Sequence, residues 1–190
     1  PFDIAIHGAL MKSGNDAAAV LALFAADNMS DAVALMNKEA KSLGATESNF
    51  VNPHGLYNDN HYTTAYDLYL IFNEAIKYSK FVDTLSCMKY TGSFTRKTAY
   101  GDYSIGCSYT NSNGFLTGSY ATPDGIKVYG GKAGYTEVAR RSYVMLAESN
   151  NGHKYIIITM RAESNSLMYK DLSALLNKIP VEKKSYADNE

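Results

Sequence analysis

Gly131-Lys132-Ala133-Gly134-Tyr135-Thr136 is the stretch on which the reading of this 190-residue chain turns. It lies in the half of the sequence where apolar residues recur with a period of two, so it reads as a strand. A strand here offers backbone donors and acceptors at a sheet edge, and glycine at 134 lets another chain approach closely. Downstream, Gly134 to Ala147 and Lys154 to Arg161 read as paired strands about Asn150-Asn151-Gly152, a strong hairpin turn. Ser164 to Asn177 reads as an amphipathic helix, followed from Pro180 by a polar tail expected to fray. Upstream, Ile126 to Tyr129 reads as a short strand. Thr84 to Thr95 and Tyr103 to Tyr109 read as two longer ones, joined by a loop containing Gly101-Asp102.

Before residue 80 the period is helical. Asp3 to Leu10 suits a helix that the Ser13 turn interrupts. Asp16 to Asp27 (DAAAVLALFAAD) is apolar nearly all round and predicts a buried helix. Ser30 or Asp31 caps the next helix, with Ala32, Leu35, Met36, Ala40 and Leu43 inward and Gly44 ending it. Asn49 to Tyr62 is a turn-rich loop around Asn52-Pro53-His54-Gly55. Thr63 or Thr64 then caps a helix to about Tyr78, with Leu68, Ile71, Phe72 and Ala75 inward. Helices first, then antiparallel strands and a final helix, make the fold class α+β: a helical cluster beside an antiparallel sheet, residues 1–179, with a polar tail at 180–190.

Composition narrows the function. With 18 basic and 19 acidic residues scattered evenly, the chain carries no charge asymmetry that calls for nucleic acid or an anionic membrane. No apolar run approaches the ~20 residues of a membrane span, and none reads as a signal peptide. The chain opens at Pro1-Phe2-Asp3-Ile4 without a methionine, which reads as a processed or excised piece. Tyr is abundant (16) and Trp absent, which fits a polar-faced cleft or sheet without deciding between them. Cys87 and Cys107 are either one bridge or two small core residues. The four histidines, His7, His54, His61 and His153, show no metal-ligand spacing.

Ser13-Gly14-Asn15 completes the pattern. Its hydroxyl can relay a proton and its amide can donate to a carbonyl. Alone the triplet is ordinary turn chemistry. However, Ser-Gly-Asn-Asp-Ala-Ala, Met36-Asn37, Asn52-Pro53-His54-Gly55-Leu56, Thr64-Ala65-Tyr66-Asp67-Leu68 and Gly131 to Thr136 occur in one order at one set of spacings. That series resembles the D-alanyl-D-alanine carboxypeptidases among the low-molecular-mass penicillin-binding proteins, from about Phe2 to Leu176. In that resemblance Ser13 to Asn15 stands for S-x-N, and Lys132 to Gly134 for K-T-G.

The resemblance implies roles and departures. Ser13 would relay the proton, and Asn15 would contact a substrate amide. Lys132, Gly134 and Thr136 would line the binding strand, and Arg161, beside Glu163-Ser164, would steer a carboxylate. Ala133 stands where the family has Thr, so one hydroxyl donor is missing and Thr136 becomes the alternative for the carboxylate. Arg140 and Arg141 stand where small residues are usual and read as solvated charges. The family's nucleophile motif, S-x-x-K, lies before S-x-N, yet only twelve residues precede Ser13 and none is serine. Ser86-Cys87-Met88-Lys89 matches the spelling. It falls in an alternating stretch that would keep the two side chains apart, whereas the motif needs them one helical turn apart.

By resemblance, the activity is serine-type: acylation, loss of D-alanine and hydrolysis, without metal or cofactor, on peptidoglycan stem peptides outside the cytoplasmic membrane. β-Lactam antibiotics would stall at the acyl stage. The rival reading is a non-catalytic peptidoglycan-binding relative, or a half-domain completed by a separate N-terminal polypeptide. In the family that segment contributes strands, so this chain should leave a sheet edge open and apolar surface exposed.

Overall fold

The computed structural model describes residues 1–182. Six helices and five strands follow in the order α1 (Phe2–Lys12), α2 (Asn15–Ala25), α3 (Met29–Ser42), α4 (Ala65–Ala75), α5 (Ser79–Ser86), β1 (Lys89–Thr98), β2 (Gly101–Thr110), β3 (Ile126–Thr136), β4 (Arg140–Ser149), β5 (Lys154–Ala162) and α6 (Asn165–Leu176). β1 and β2 form a separate antiparallel pair. The other three strands form a sheet in the order β3-β4-β5, so β3 is an edge, as the Gly131–Thr136 stretch implied. The α+β class holds.

The sheet owes its stability to its middle strand. Along β4, Tyr143, Met145 and Ala147 join Met168, Tyr169, Leu172 and Leu176 of α6 in one core. The alternate residue Leu146 joins Phe72 of α4 and Leu85 of α5 in another. Met145, Leu146, Leu172 and Leu176 are all fully buried. Covering each such side chain is worth ~1.5–3 kcal/mol, so β4 is held from both faces.

Several boundaries differ from expectation, each for a local reason. Residues 79–86 form α5, where the sequence read as strand from Thr84. The Thr84 hydroxyl donates to Lys80 O at 2.7 Å, a helical pairing that hides it. The short strand at 126 and the run from Gly134 are one strand, β3, with a turn at residues 137–139 before β4. Gly130 (φ 125°) and Gly131 made that continuity hard to read, since both look like breakers. They are close approaches instead. A Cβ at Gly130 would lie 2.3 Å from Leu85 O, and one at Gly131 would lie 2.2 Å from Val144 O. Gly101 and Asp102 begin β2 rather than the loop. Asn28, not Ser30 or Asp31, caps α3 by accepting from Asp31 N at 3.0 Å. Thr64 caps α4 as expected, but that helix ends at Ala75, short of Tyr78.

α2 is the largest correction: none of its residues is buried, although its sequence reads as a buried helix. Its alanines pack closely on α1, where a Cβ at Gly8 would sit 3.1 Å from the Ala17 Cβ. Val20, Leu23 and Phe24 remain 45%, 51% and 57% exposed, with Phe24 edge-on to Phe2 of α1 at 5.7 Å between ring centres. Both cysteines are free and half-buried, so neither form of the expectation, bridge or core residue, is met. The tail is pinned as far as Glu182, whose N–H and carbonyl both pair with the Asn150 side chain at 2.8 Å. The rest of the expected frayed tail lies outside the described residues.

Candidate active-site cleft

The cleft forms where α1 breaks. Ser13 ends α1 in the left-handed region (φ 53°, ψ 38°), a conformation that costs a residue with a Cβ about 1–2 kcal/mol. The Gly14 N–H returns to Gly8 O at 3.1 Å, and Gly14 caps α2, so Asn15 stands in the first turn of that helix. The break turns Ser13 toward β3. There the Lys132 Nζ donates to Ser13 Oγ at 2.5 Å, across 119 residues of sequence, and also to the Ala133 carbonyl.

Burial strips water from the Lys132 ammonium and pushes its pKa below the ordinary 10.5. Among the described residues the two side-chain ion pairs are Lys77–Glu74 and Lys80–Asp3, so no carboxylate offsets that loss. A half-buried cation without an acid beside it is set to meet an anion or to give up its proton to a neighbouring group.

Ser13, Asn15 and Lys132 line one cavity of about 410 Å³ together with Met36, Pro53 and His54. Two amides hold its far wall. Asn37 clasps Phe50, accepting its N–H at 2.8 Å and donating to its carbonyl at 2.7 Å. Asn52 accepts from Gly55 N at 2.6 Å and donates to Leu56 O at 2.9 Å, which closes the Pro53-His54 turn. Sequence reasoning had the loop but missed its anchor. Asp67, 2% exposed, accepts from Glu47 N at 2.9 Å and from the Ser48 hydroxyl at 2.7 Å, and Ser48 in turn bonds Thr63. An acidic residue three places after a capping threonine was the available signal. His61 accepts from Val51 N at 3.3 Å, and burial lowers its pKa, so it serves the loop's fold. No group of three or more His, Cys, Asp or Glu among the described residues could hold a metal ion.

The remaining candidates fall elsewhere. Thr136 and Arg161 line a second cavity of about 460 Å³, walled by Leu56, Tyr57, His61 and Met160, rather than the one beside Lys132. Lys132, Gly134 and Thr136 share one face of β3, which puts Thr136 roughly 13 Å along the strand from Lys132. Pro53 and His54 border the first cavity and Gly55 and Leu56 the second, so the two flank the same turn. Thr136 Oγ1 accepts from Ala139 N at 3.0 Å, which leaves its O–H free to donate. Arg161 has φ 62° and an exposed side chain. Nothing lies within 4 Å of a Cβ built on Gly134, so the chain's own packing does not require glycine there. Arg141 stacks 4.7 Å over the Tyr135 ring, so it is more than a solvated charge, whereas Arg140 (φ 60°) follows the turn with an exposed side chain, as expected. Ser86 closes α5 with its hydroxyl on Val82 O at 2.9 Å, while Lys89 opens β1. The S-x-x-K spelling therefore spans a helix end and a strand start, and its two side chains share no helical turn.

Comparison with known proteins identifies the family. Residues 4–164 match the family described as D-alanyl-D-alanine carboxypeptidase. The chain belongs to that family. It is 33% identical over 151 residues to the D-alanyl-D-alanine carboxypeptidase DacF of Bacillus subtilis, covering 78% of this chain and 34% of that protein. It is 33% identical over 149 residues to DacA of Escherichia coli, covering 73% and 32%. Among solved structures, a penicillin-binding protein homolog of Mycobacterium tuberculosis superposes with TM-score 0.71 at 29% identity, covering 93% of this chain and 62% of that one. A Streptomyces DD-transpeptidase superposes with TM-score 0.78 at 25% identity, covering 92% and 66%. The chain thus spans about a third of the length of these curated carboxypeptidases.

Proposed function

We propose that this chain supplies the proton-relay and substrate-binding part of a serine-type D-Ala-D-Ala carboxypeptidase that trims peptidoglycan stem peptides and binds β-lactams, outside the cytoplasmic membrane. The observation that carries this reading is the Lys132–Ser13 contact: two motifs 119 residues apart meet in one cavity. A lysine whose pKa burial lowers can take up the Ser13 proton, and Ser13 can pass one to a leaving amine. Asn15 donates to a substrate carbonyl from the same cavity. An extended peptide pairs with the β3 edge. It passes close over Gly134 and reaches Thr136 and Arg161, whose guanidinium suits a carboxylate.

The nucleophile comes from a segment beyond the described residues, in the same polypeptide or as a separate chain. The uncovered α2 face and the open β5 edge favour such a segment. Ala133 favours the second reading, a non-catalytic peptidoglycan-binding relative. Labelled penicillin and intact mass separate the two. The 190-residue chain alone should gain no adduct, and the protein carrying a preceding S-x-x-K should gain one. An adduct on Ser86 would refute the assignment of roles, and no adduct in the longer protein would favour the binding relative.

A further inference from the structure

On β3, Lys132 stands between two residues that lean on one tyrosine. Tyr143 of β4 pairs across the ladder with Ala133. Its ring also lies under Gly131, where a Cβ would meet Tyr143 Cε1 at 2.5 Å. Successive strand residues point to opposite faces, so Lys132 leaves β3 on the side away from Tyr143. The height of the strand at Lys132 therefore follows the tyrosine behind it.

Tyr143 is itself held in place. It is 4% exposed, and its Oη accepts from Asn113 Nδ2 at 2.7 Å. Asn113, 3% exposed, also accepts from Phe115 N at 2.9 Å. Its own N–H donates to Asn111 Oδ1 at 2.9 Å, and Asn111 Nδ2 donates to Leu85 O and Cys87 O, each at 3.0 Å. Leu85 O is the atom against which Gly130 is pressed. The end of α5, residues 111–113 and Tyr143 thus form one frame around Gly130 to Ala133. Packing alone would not call for a hydroxyl here, since burying one is unfavourable until a partner meets it. A second buried tyrosine, Tyr169 of α6, is 4% exposed and accepts from Gly114 N at 2.8 Å while stacking on Tyr120.

We infer that Tyr143 and Asn113 are positioning residues for the relay: their hydrogen bond fixes β3 at the height that lets Lys132 Nζ meet Ser13 Oγ. The inference rests on the carboxypeptidase reading above, in which that pair moves a proton. The contact it serves has little slack. Nζ and Oγ stand 2.5 Å apart, and proton transfer needs them within about 3.2 Å. A displacement of ~1 Å is enough to open the pair, and misplacement on that scale can cost ~10²-fold in rate.

The test is acylation of the full-length protein by benzylpenicillin, resolved into the noncovalent Kd and the rate constant of the chemical step. Tyr143→Phe keeps the ring and removes only the hydroxyl. It should slow the chemical step about tenfold, the order of one buried hydrogen bond, and leave Kd within about twofold. Tyr169→Phe, an equal loss of one buried hydroxyl, should lower the denaturation midpoint similarly and leave the chemical step within about twofold. In the Lys132→Gln background Tyr143→Phe should add no further slowing, because the amine it positions is gone. Asn113→Ala and Tyr143→Phe together should likewise be no slower than Asn113→Ala alone, since both remove one bond. If Tyr143→Phe reacts like the parent, slows Lys132→Gln as much as it slows the parent, or acts no differently from Tyr169→Phe, the inference is wrong while the carboxypeptidase reading stands. If the full-length parent is not acylated at all, that reading falls and the inference with it.

Discussion

β4 and α2 both carry apolar runs in sequence, yet one is covered on both faces and the other has no buried residue. β4 meets α6 on one face and α4 and α5 on the other, and three of its residues are fully buried. α2 meets α1 through Ala17 and through Phe24, edge-on to Phe2, and leaves Val20, Leu23 and Phe24 about half exposed. Apolarity records what a segment has been selected to touch, and coverage records what is present to touch it. The uncovered side of α2 faces away from the chemistry, since the cleft is lined from this helix by Asn15, Ala18, Leu21, Ala22 and Ala25 and by none of Val20, Leu23 and Phe24. What covers the exposed face is therefore a separate question from what the site does.

The sharpest way to break that comparison is to remove the relay. In the full-length protein, Ser13→Ala should slow β-lactam acylation by roughly 10²- to 10⁴-fold, the usual range for a positioned acid–base group. Stopped-flow acylation measures it. A rate within twofold of the parent would make Ser13 only the residue that ends α1. Chemical denaturation should meanwhile show little loss. Replacing a strained left-handed residue by alanine keeps the strain and removes only a surface hydroxyl's contact.

Leu146→Ala should do the reverse. The side chain is fully buried between β4 and the helices, so its truncation should cost about 2–5 kcal/mol in denaturant unfolding. A loss under about 1 kcal/mol would mean that this core is looser than its packing implies.

Legibility in the sequence followed the same division. The edge strand, the β4–β5 turn at Asn150–Gly152 and a threonine cap at 63 or 64 could be read because each depends on residues local to it, whereas the Ser13 and Lys132 motifs could be read only from the order and spacing of a series that runs along the whole chain. What could not be read depended on partners. The end of α5 looked like a strand because the residues from Thr84 onward alternate, while its helical turn is held by Leu85, which packs against Phe72 and Leu146. Gly130 and Gly131 looked like a break because the atoms that require them, Leu85 O and Val144 O, are remote in sequence. Thr136 and Arg161 looked like companions of Lys132, yet strand geometry carries them to the next cavity.

Lys132 sharpens the comparison through its charge. Lys132→Gln should cost at least about tenfold in acylation, a lower bound set for a cleft that stays partly wet. The pH profile adds a signed prediction. Burial lowers this lysine's pKa in the folded protein, so its charge is lost as pH rises through a value below 10.5. Any step that needs the cation should therefore fall on the alkaline side earlier than an ordinary lysine would allow. Lys132→Arg should push that limb upward, because a guanidinium stays charged. The stability linkage has the opposite sense. Between the folded value and 10.5 the unfolded chain binds more protons, so this group makes the fold more stable as pH rises through that window. A profile whose alkaline limb is unmoved by Lys132→Arg would assign the limb to another group.

The smallest effect expected is the most specific test of the uncovered helix. In the 190-residue chain, Leu23→Ser should change unfolding free energy by less than about 0.5 kcal/mol, because a side chain 51% exposed gives up little on truncation. It should also reduce self-association, since Val20, Leu23 and Phe24 form a contiguous apolar ridge along α2. The same substitution in the longer protein should cost more, about 1–3 kcal/mol, if a preceding segment lies over that ridge, because it then removes a covered contact and buries a hydroxyl. Equal and small costs in both would leave the ridge bare in the whole protein too. The apolar sequence of α2 would then need another occupant, and the case for a completing segment would rest on the open edge of β5 alone. A large cost already in the short chain would mean that α2 is covered there by a second copy. Sedimentation at two concentrations would show this directly, as a dimer that Leu23→Ser dissociates.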